Sequence, residues 1–103
     1  MSARYRIAFT PEARNQLAEL DDYITAASSP GIARRFTNGI LDHVAGFAEF
    51  PHRGTPRDGI RPGLRTTTWR RRVTIAYAVD GDVVVVLGLF YGGQDFVTLL
   101  GDN

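Results

Sequence analysis

The chain has no cysteine, so a disulfide framework and a thiolate metal site are both excluded. It also has no lysine: all twelve of its basic residues are arginine. Histidine is scarce, with only His43 and His52. Two histidines do not make a zinc site without carboxylate help, and their spacing suggests none. No metal and no cofactor is implied. Long apolar runs are missing too. The longest, Val83 to Leu87, is far short of a membrane span. The N-terminal Met-Ser-Ala-Arg is followed by no hydrophobic signal segment, so a soluble cytoplasmic protein without membrane contact is the default expectation.

What is present fits one compact domain over residues 1–103. The hydrophobic share is 44% and the charged share 22%, ordinary for a folded chain. The net charge of +1 hides an uneven distribution. Residues 1–50 hold five Arg against six acids, residues 51–79 seven Arg against Asp58 alone, and residues 80–103 four acids and no base. High genomic GC content would favour Arg over Lys, but it would not cluster the arginines. A planar guanidinium fork suits phosphates and carboxylates and stacks on aromatic rings.

Arg4 to Phe9 alternates, with Tyr5, Ile7 and Phe9 on one face of a strand. Thr10-Pro11-Glu12 is a helix start: an N-cap, a proline in the first turn and an acid beside it. Ala13, Leu17, Leu20, Ile24 and Ala27 then mark an apolar stripe. Ser29-Pro30 repeats the start signal, and Ala33, Phe36, Ile40, Val44 and Phe47 mark a second helix that Phe50-Pro51 ends. The short link predicts an antiparallel helical hairpin. Residues 51–63, rich in Pro and Gly, form a loop that carries Arg53, Arg57 and Arg61. Three strands follow, Leu64 to Trp69, Val73 to Val79 and Val83 to Phe90, with Asp80-Gly81 turning the last hairpin. The turn near Arg70-Arg71 has no Gly or Asn. Asp95 to Leu100 is a tail of undecided structure.

The predicted fold class is α+β, in the order β-α-α-β-β-β, with an antiparallel sheet and the helical hairpin packed on one face. Val73, Ile75, Tyr77 and Val79 should face the helices. Arg65, Thr67, Trp69 and Arg71 share one side of the preceding strand and are expected on the helix-free face, which would be basic with one aromatic. In the last strand, Val83, Val85, Leu87 and Leu89 are expected in the core. That leaves Val84, Val86 and Phe90 on the other side, and one hairpin cannot cover both faces of a strand apolar on both. Either the tail or a partner covers it, and the reading favours a partner.

Five segments in this order resemble the ParE/RelE toxin superfamily: Tyr5-Arg6-Ile7-Ala8-Phe9-Thr10-Pro11-Glu12-Ala13, Phe50-Pro51-His52-Arg53-Gly54, Ile60-Arg61-Pro62-Gly63-Leu64-Arg65, Arg72-Val73-Thr74-Ile75-Ala76-Tyr77 and Leu89-Phe90-Tyr91-Gly92-Gly93-Gln94-Asp95. The resemblance is closer to ParE-like members. It implies the toxin of a type II toxin–antitoxin pair, neutralised by a cognate ParD-like or similar antitoxin. ParE-like members are associated with inhibition of DNA gyrase. RelE-like members cleave messenger RNA on the ribosome, and an inactive homologue that only binds protein is a third reading. Many ParE-like chains end the last strand in a His-Gly-Arg-Arg type of segment. Here Tyr91-Gly92-Gly93-Gln94 stands there, with no basic group.

Cleavage of RNA needs a base, an acid and cations. Arg65, Arg70, Arg71 and Arg72 supply cations, but arginine is a poor base because it keeps its proton near neutral pH. The nuclease candidates are therefore Arg65 and Arg72 with Tyr91 and His52, with Asp95 nearby. No compact acid–base pair emerges from them, so the reading leans away from an enzyme. The expected target-binding set is Arg57, Arg61, Arg65, Trp69, Arg70, Arg71 and Arg72, and the expected antitoxin-binding set is Val84, Val86, Phe90 and Tyr91. The bland alternative for the arginines is a solvated charged face.

Overall fold

The computed structural model describes residues 4–92; Gln94, Asp95 and the tail up to Leu100 lie outside the described residues. The elements run β1 (Arg6–Phe9), α1 (Pro11–Ala27), α2 (Pro30–Ala45), a 3-10 turn (Gly46–Ala48), β2 (Thr55–Pro56), β3 (Leu64–Trp69), β4 (Val73–Asp80) and β5 (Val83–Tyr91).

Both helices begin where their caps place them. The Thr10 hydroxyl accepts from the Ala13 N–H at 3.1 Å, and the Ser29 hydroxyl accepts from the Ile32 N–H at 3.2 Å. Each cap is followed by proline at the first helical position, where the missing N–H costs nothing. Leu20 and Ile24 of α1 and Ala33, Ile40 and Val44 of α2 are buried against the sheet.

The sheet order is β1-β5-β4-β3-β2. The pairs among β2, β3, β4 and β5 are antiparallel, as expected, whereas β1 runs parallel to β5, with Arg6 opposite Val83 and Phe9 opposite Val86. The sheet is thus mixed. The helical hairpin carries the chain from β1 at one edge of the sheet to β2 at the other, and β2, β3 and β4 then lead back to β5 beside β1. One further strand, the two-residue β2, lies inside the expected loop and pairs with β3 at its edge.

Gly39 sits in the middle of α2 for a packing reason. A Cβ there would lie 2.5 Å from the Trp69 ring, so only glycine lets the indole lie against the helix. The Trp69 ring meets Phe36 edge-on at 4.8 Å, and Phe47 stacks on Tyr77 at 4.2 Å.

A β-bulge interrupts the β4–β5 ladder. Tyr77 pairs with Val86 but Ala76 pairs with Gly88, which leaves Leu87 without a cross-strand partner. α1 supplies the missing hydrogen bonds. The Thr10 hydroxyl donates to the Leu87 carbonyl at 3.3 Å, and the Leu89 N–H donates to Gln16 Oε1 at 2.8 Å. Gly88 is required there, since a Cβ would meet the Phe90 ring at 2.6 Å.

The bulge changes which residues of β5 face the helices. Val84 and Val86 are fully buried in the main core, beside Val73, Ile75 and Tyr77; past the bulge, Leu89 takes over that face. The expected placement of Val84 and Val86 on the helix-free face is therefore corrected, while Leu89 and Phe90 lie as expected. Phe90 joins a second, smaller core with Leu64 and Ala76 on the helix-free face, covered in part by Ile60 and Leu87.

Candidate target- and partner-binding surface

The arginines of residues 51–79 do not form one sheet face. They separate into two patches at opposite ends of β3, a strand spanning roughly 17 Å at the usual rise per residue. Each patch has its own local cause.

The first patch lies on the loop before β3. Arg65 belongs to its scaffold. Its guanidinium donates to the carbonyls of His52 at 2.9 Å and Gly54 at 2.8 Å, which ties the loop to the strand. The neighbouring Gly54 N–H donates to the buried Tyr77 hydroxyl at 2.9 Å. Burial raises the Tyr77 pKa, against the opposing pull of that hydrogen bond and of Arg65 and Arg53. Arg57 donates through Nε to the Thr66 hydroxyl at 3.0 Å and stays exposed. Arg53 and Arg61 are exposed beside it, as is His52.

The second patch is the β3–β4 turn. The Arg72 N–H donates to the Trp69 carbonyl at 3.0 Å, and both central residues have left-handed backbone, Arg70 at φ 51° and Arg71 at φ 58°. This is the φ pattern of a turn that normally carries Asn-Gly. Each L residue held there costs about 1–2 kcal/mol. The Arg70 guanidinium lies 4.6 Å above the Trp69 ring. Arg70, Arg71 and Arg72 are all exposed.

Trp69 is not on the helix-free face. It is 8% exposed and packs in the main core under α2, opposite Val73. Arg65 and Thr67 share its side of the strand, and Thr67 meets His43 Nε2 of α2 at 3.1 Å. The expected basic face of β3 is therefore corrected. The helix-free side of this strand is Leu64, Thr66 and Thr68. Trp69 and Arg65 act as supports, one for each patch.

The four candidates for nuclease chemistry are brought together only in pairs. Arg65 and His52 share the loop end. Arg72 and Tyr91 share the turn end, where Tyr91 pairs with Val73 and its ring lies 6.0 Å from Tyr23 and 6.1 Å from Phe36. Four residue steps along β4, about 13 Å, separate Tyr77 beside Arg65 from Val73 beside Tyr91. His43 is half-buried, and its pKa is lowered by burial first and by the Arg53 charge second. Among the described residues, no group of three His, Cys, Asp or Glu side chains is placed to hold a metal ion, and no helix is long and apolar enough to cross a membrane.

One contributor went unread in the sequence. Arg35 of α2 lies beside the turn, where it lines a cleft of about 350 Å³ with Ile32, Phe36 and Arg70. Its signal was electrostatic. α2 has no acid in its first turn and carries Arg34-Arg35 near its positive end, contrary to the usual preference.

This architecture, a helical hairpin on one face of a mixed five-stranded sheet, is that of chains in solved toxin–antitoxin complexes. A chain of the chromosomal ParDE TA system from P. aeruginosa superposes with a TM-score of 0.77 at 22% identity, covering 88% of this chain and 99% of that one. A chain of the toxin–antitoxin complex RelBE2 from Mycobacterium tuberculosis superposes with a TM-score of 0.64 at 22% identity, covering 91% and 98%. No curated protein matches the sequence. The family is shown by the sequence itself: residues 7–96 match the model of the ParE toxin of type II toxin-antitoxin system, parDE, and the chain belongs to that family.

Proposed function

We propose that this toxin arrests growth by inhibiting DNA gyrase and is silenced when its cognate antitoxin binds it. The observation that carries the choice of gyrase over messenger RNA is the dispersal of the would-be catalytic groups. His52 with Arg65 and Tyr91 with Arg72 lie at opposite ends of β3, so among the described residues these candidates do not flank one phosphate as base and acid. An inhibitor needs only a binding surface, and the exposed arginines at the two ends of β3 supply one. Arg57, Arg61, Arg71 and Arg72 are the target contacts in this reading. Arg65 and Trp69 hold the loop and the turn in place, and Tyr91 stands at the antitoxin side.

The test is expression of the chain alone and beside the antitoxin encoded next to it. Growth arrest relieved by the antitoxin, with gyrase-dependent DNA breaks and intact messenger RNA in a translation extract, is the expected result. Cleavage of ribosome-bound message would reverse the choice of target. Harmless expression of a folded chain would leave a protein-binding homologue.

A further inference from the structure

The Trp69–Arg72 turn is strained, and its two strained residues are both arginines. Asn-Gly would close the same turn without strain. Backbone strain that persists in a fold is a pointer to function. The side chains add a second, independent observation. Arg70 is held over Trp69 at 4.6 Å, and Trp69 is wedged against Phe36 at 4.8 Å, so the guanidinium is fixed beside α2. There it joins Arg35 at the cleft of about 350 Å³, whose remaining lining is Ile32 and Phe36. Ile32 is 43% exposed. Charge supplies the third observation. The ion pairs among the described residues are Arg4–Glu49 and Arg6–Asp82, and among those residues no carboxylate pairs with Arg35, Arg70, Arg71 or Arg72.

The geometry points to this cleft as the docking site for an acidic segment of a protein partner, with an aliphatic side chain seated on Ile32 and Phe36 and flanking carboxylates on Arg35 and Arg70. A guanidinium pairs with a carboxylate through two parallel hydrogen bonds, a strong and directional contact. The apolar floor favours a peptide over a nucleic acid. A phosphate backbone has no use for it, and base stacking needs an open ring, whereas Trp69 has Arg70 over it and is 8% exposed. The inference rests on the toxin–antitoxin reading, which makes the antitoxin the source of the segment. A bound segment would also cover Arg71 and Arg72, so that neutralisation masks part of the surface proposed to meet the target.

Trp69 is the only tryptophan in the chain and reports on the site directly. The full chain is titrated with a short synthetic peptide carrying leucine flanked by glutamates, with its glutamine counterpart, with a short DNA duplex and with single-stranded RNA. Tryptophan fluorescence and calorimetry are the readouts. The acidic peptide should bind saturably and the glutamine peptide should not. Arg35→Gln and Arg70→Gln should each weaken binding by roughly tenfold, the loss of one charge-assisted contact, while Arg14→Gln on α1 leaves it unchanged. A second variant, R70N/R71G, should unfold at a higher temperature than the parent yet bind the peptide more weakly.

Equal binding of the two peptides would overturn the proposal, as would an equal loss from Arg14→Gln or a lower unfolding temperature for R70N/R71G. Tighter binding of DNA or RNA, lost with the same substitutions, would replace it with a nucleic-acid site. Growth arrest by the wild-type chain is scored separately. If the chain arrests growth and the peptide does not bind, only the docking site falls. If the peptide binds and expression is harmless, only the toxin reading falls.

Discussion

His43 shows how a single residue links the helices to the strand beneath. Its ring joins α2 to Thr67 of β3 at 3.1 Å and meets Phe47 edge-on at 5.6 Å. Burial and the Arg53 charge both disfavour its protonated form, so its folded-state pKa lies below the ordinary 6.5. As pH falls through 6.5 the unfolded chain takes up a proton that the folded chain still refuses. Stability present above that value is then lost below it. The charged groups of the neighbouring elements set the background: Arg53 on the loop and Asp42 beside His43 on its own helix, while β3 presents uncharged Thr67. His43→Gln should remove this contribution. The difference in urea midpoint between parent and variant should therefore narrow or change sign between pH 7.5 and pH 5. A constant difference across that range would show that His43 does not titrate against folding.

Among the elements, the helices and the faces of β1 and β4 were legible and those of β3 and β5 were not, and the reason differs between the two. Thr10-Pro11 and Ser29-Pro30 are local signals, and each sits on the first turn it announces. The side-chain phase of a strand depends on register, and a slip of one residue moves every side chain to the other face. For β3 the register hangs on a turn made of arginines, whose left-handed backbone their residue types do not advertise. Alternation alone consequently puts Trp69 on the wrong side. For β5 the information was present. The hairpin pairs Asp80 with Val83 around Gly81 and Asp82, one residue later than Asp80-Gly81, and core-facing Val79 takes Val84 with it. What strict alternation does not show is the bulge, which returns Leu89 to the core side. Arg35 carries a signal, an arginine near the positive end of α2, but only the packing of α2 over β3 shows that it reaches the turn. The bulge is also where one side chain can be tested. Gln16 is the acceptor for the Leu89 N–H, two residues past the unpaired Leu87 of the bulge. Gln16→Ala should cost about 1–3 kcal/mol in denaturant unfolding, the cost of an unsatisfied buried donor. Gln16→Glu, which keeps an acceptor oxygen, should lose less. Equal losses would show that the acceptor plays no part.

At the scale of the whole molecule, the net charge of +1 conceals two like-charged patches at the two ends of β3. Their separation, about 17 Å along the strand, exceeds the Debye length of about 8 Å at physiological salt. Each patch therefore repels within itself and hardly senses the other. Neutralising Arg71 and Arg72 should relieve repulsion at the turn, and neutralising Arg53 and Arg61 should do so at the loop. Among the described residues neither pair makes a side-chain hydrogen bond for the exchange to break, unlike Arg57 and Arg65, which hold Thr66 and the loop carbonyls. R71Q/R72Q and R53Q/R61Q should thus each leave the fold intact. The stability change of the fourfold variant should equal the sum of the two within about 0.5 kcal/mol, the usual limit for sites that do not touch. Each change should shrink as salt is raised. Urea unfolding of the four proteins at low and physiological salt measures all of this. A coupling above about 1 kcal/mol would mean that the two patches act as one charged surface, against the split along β3.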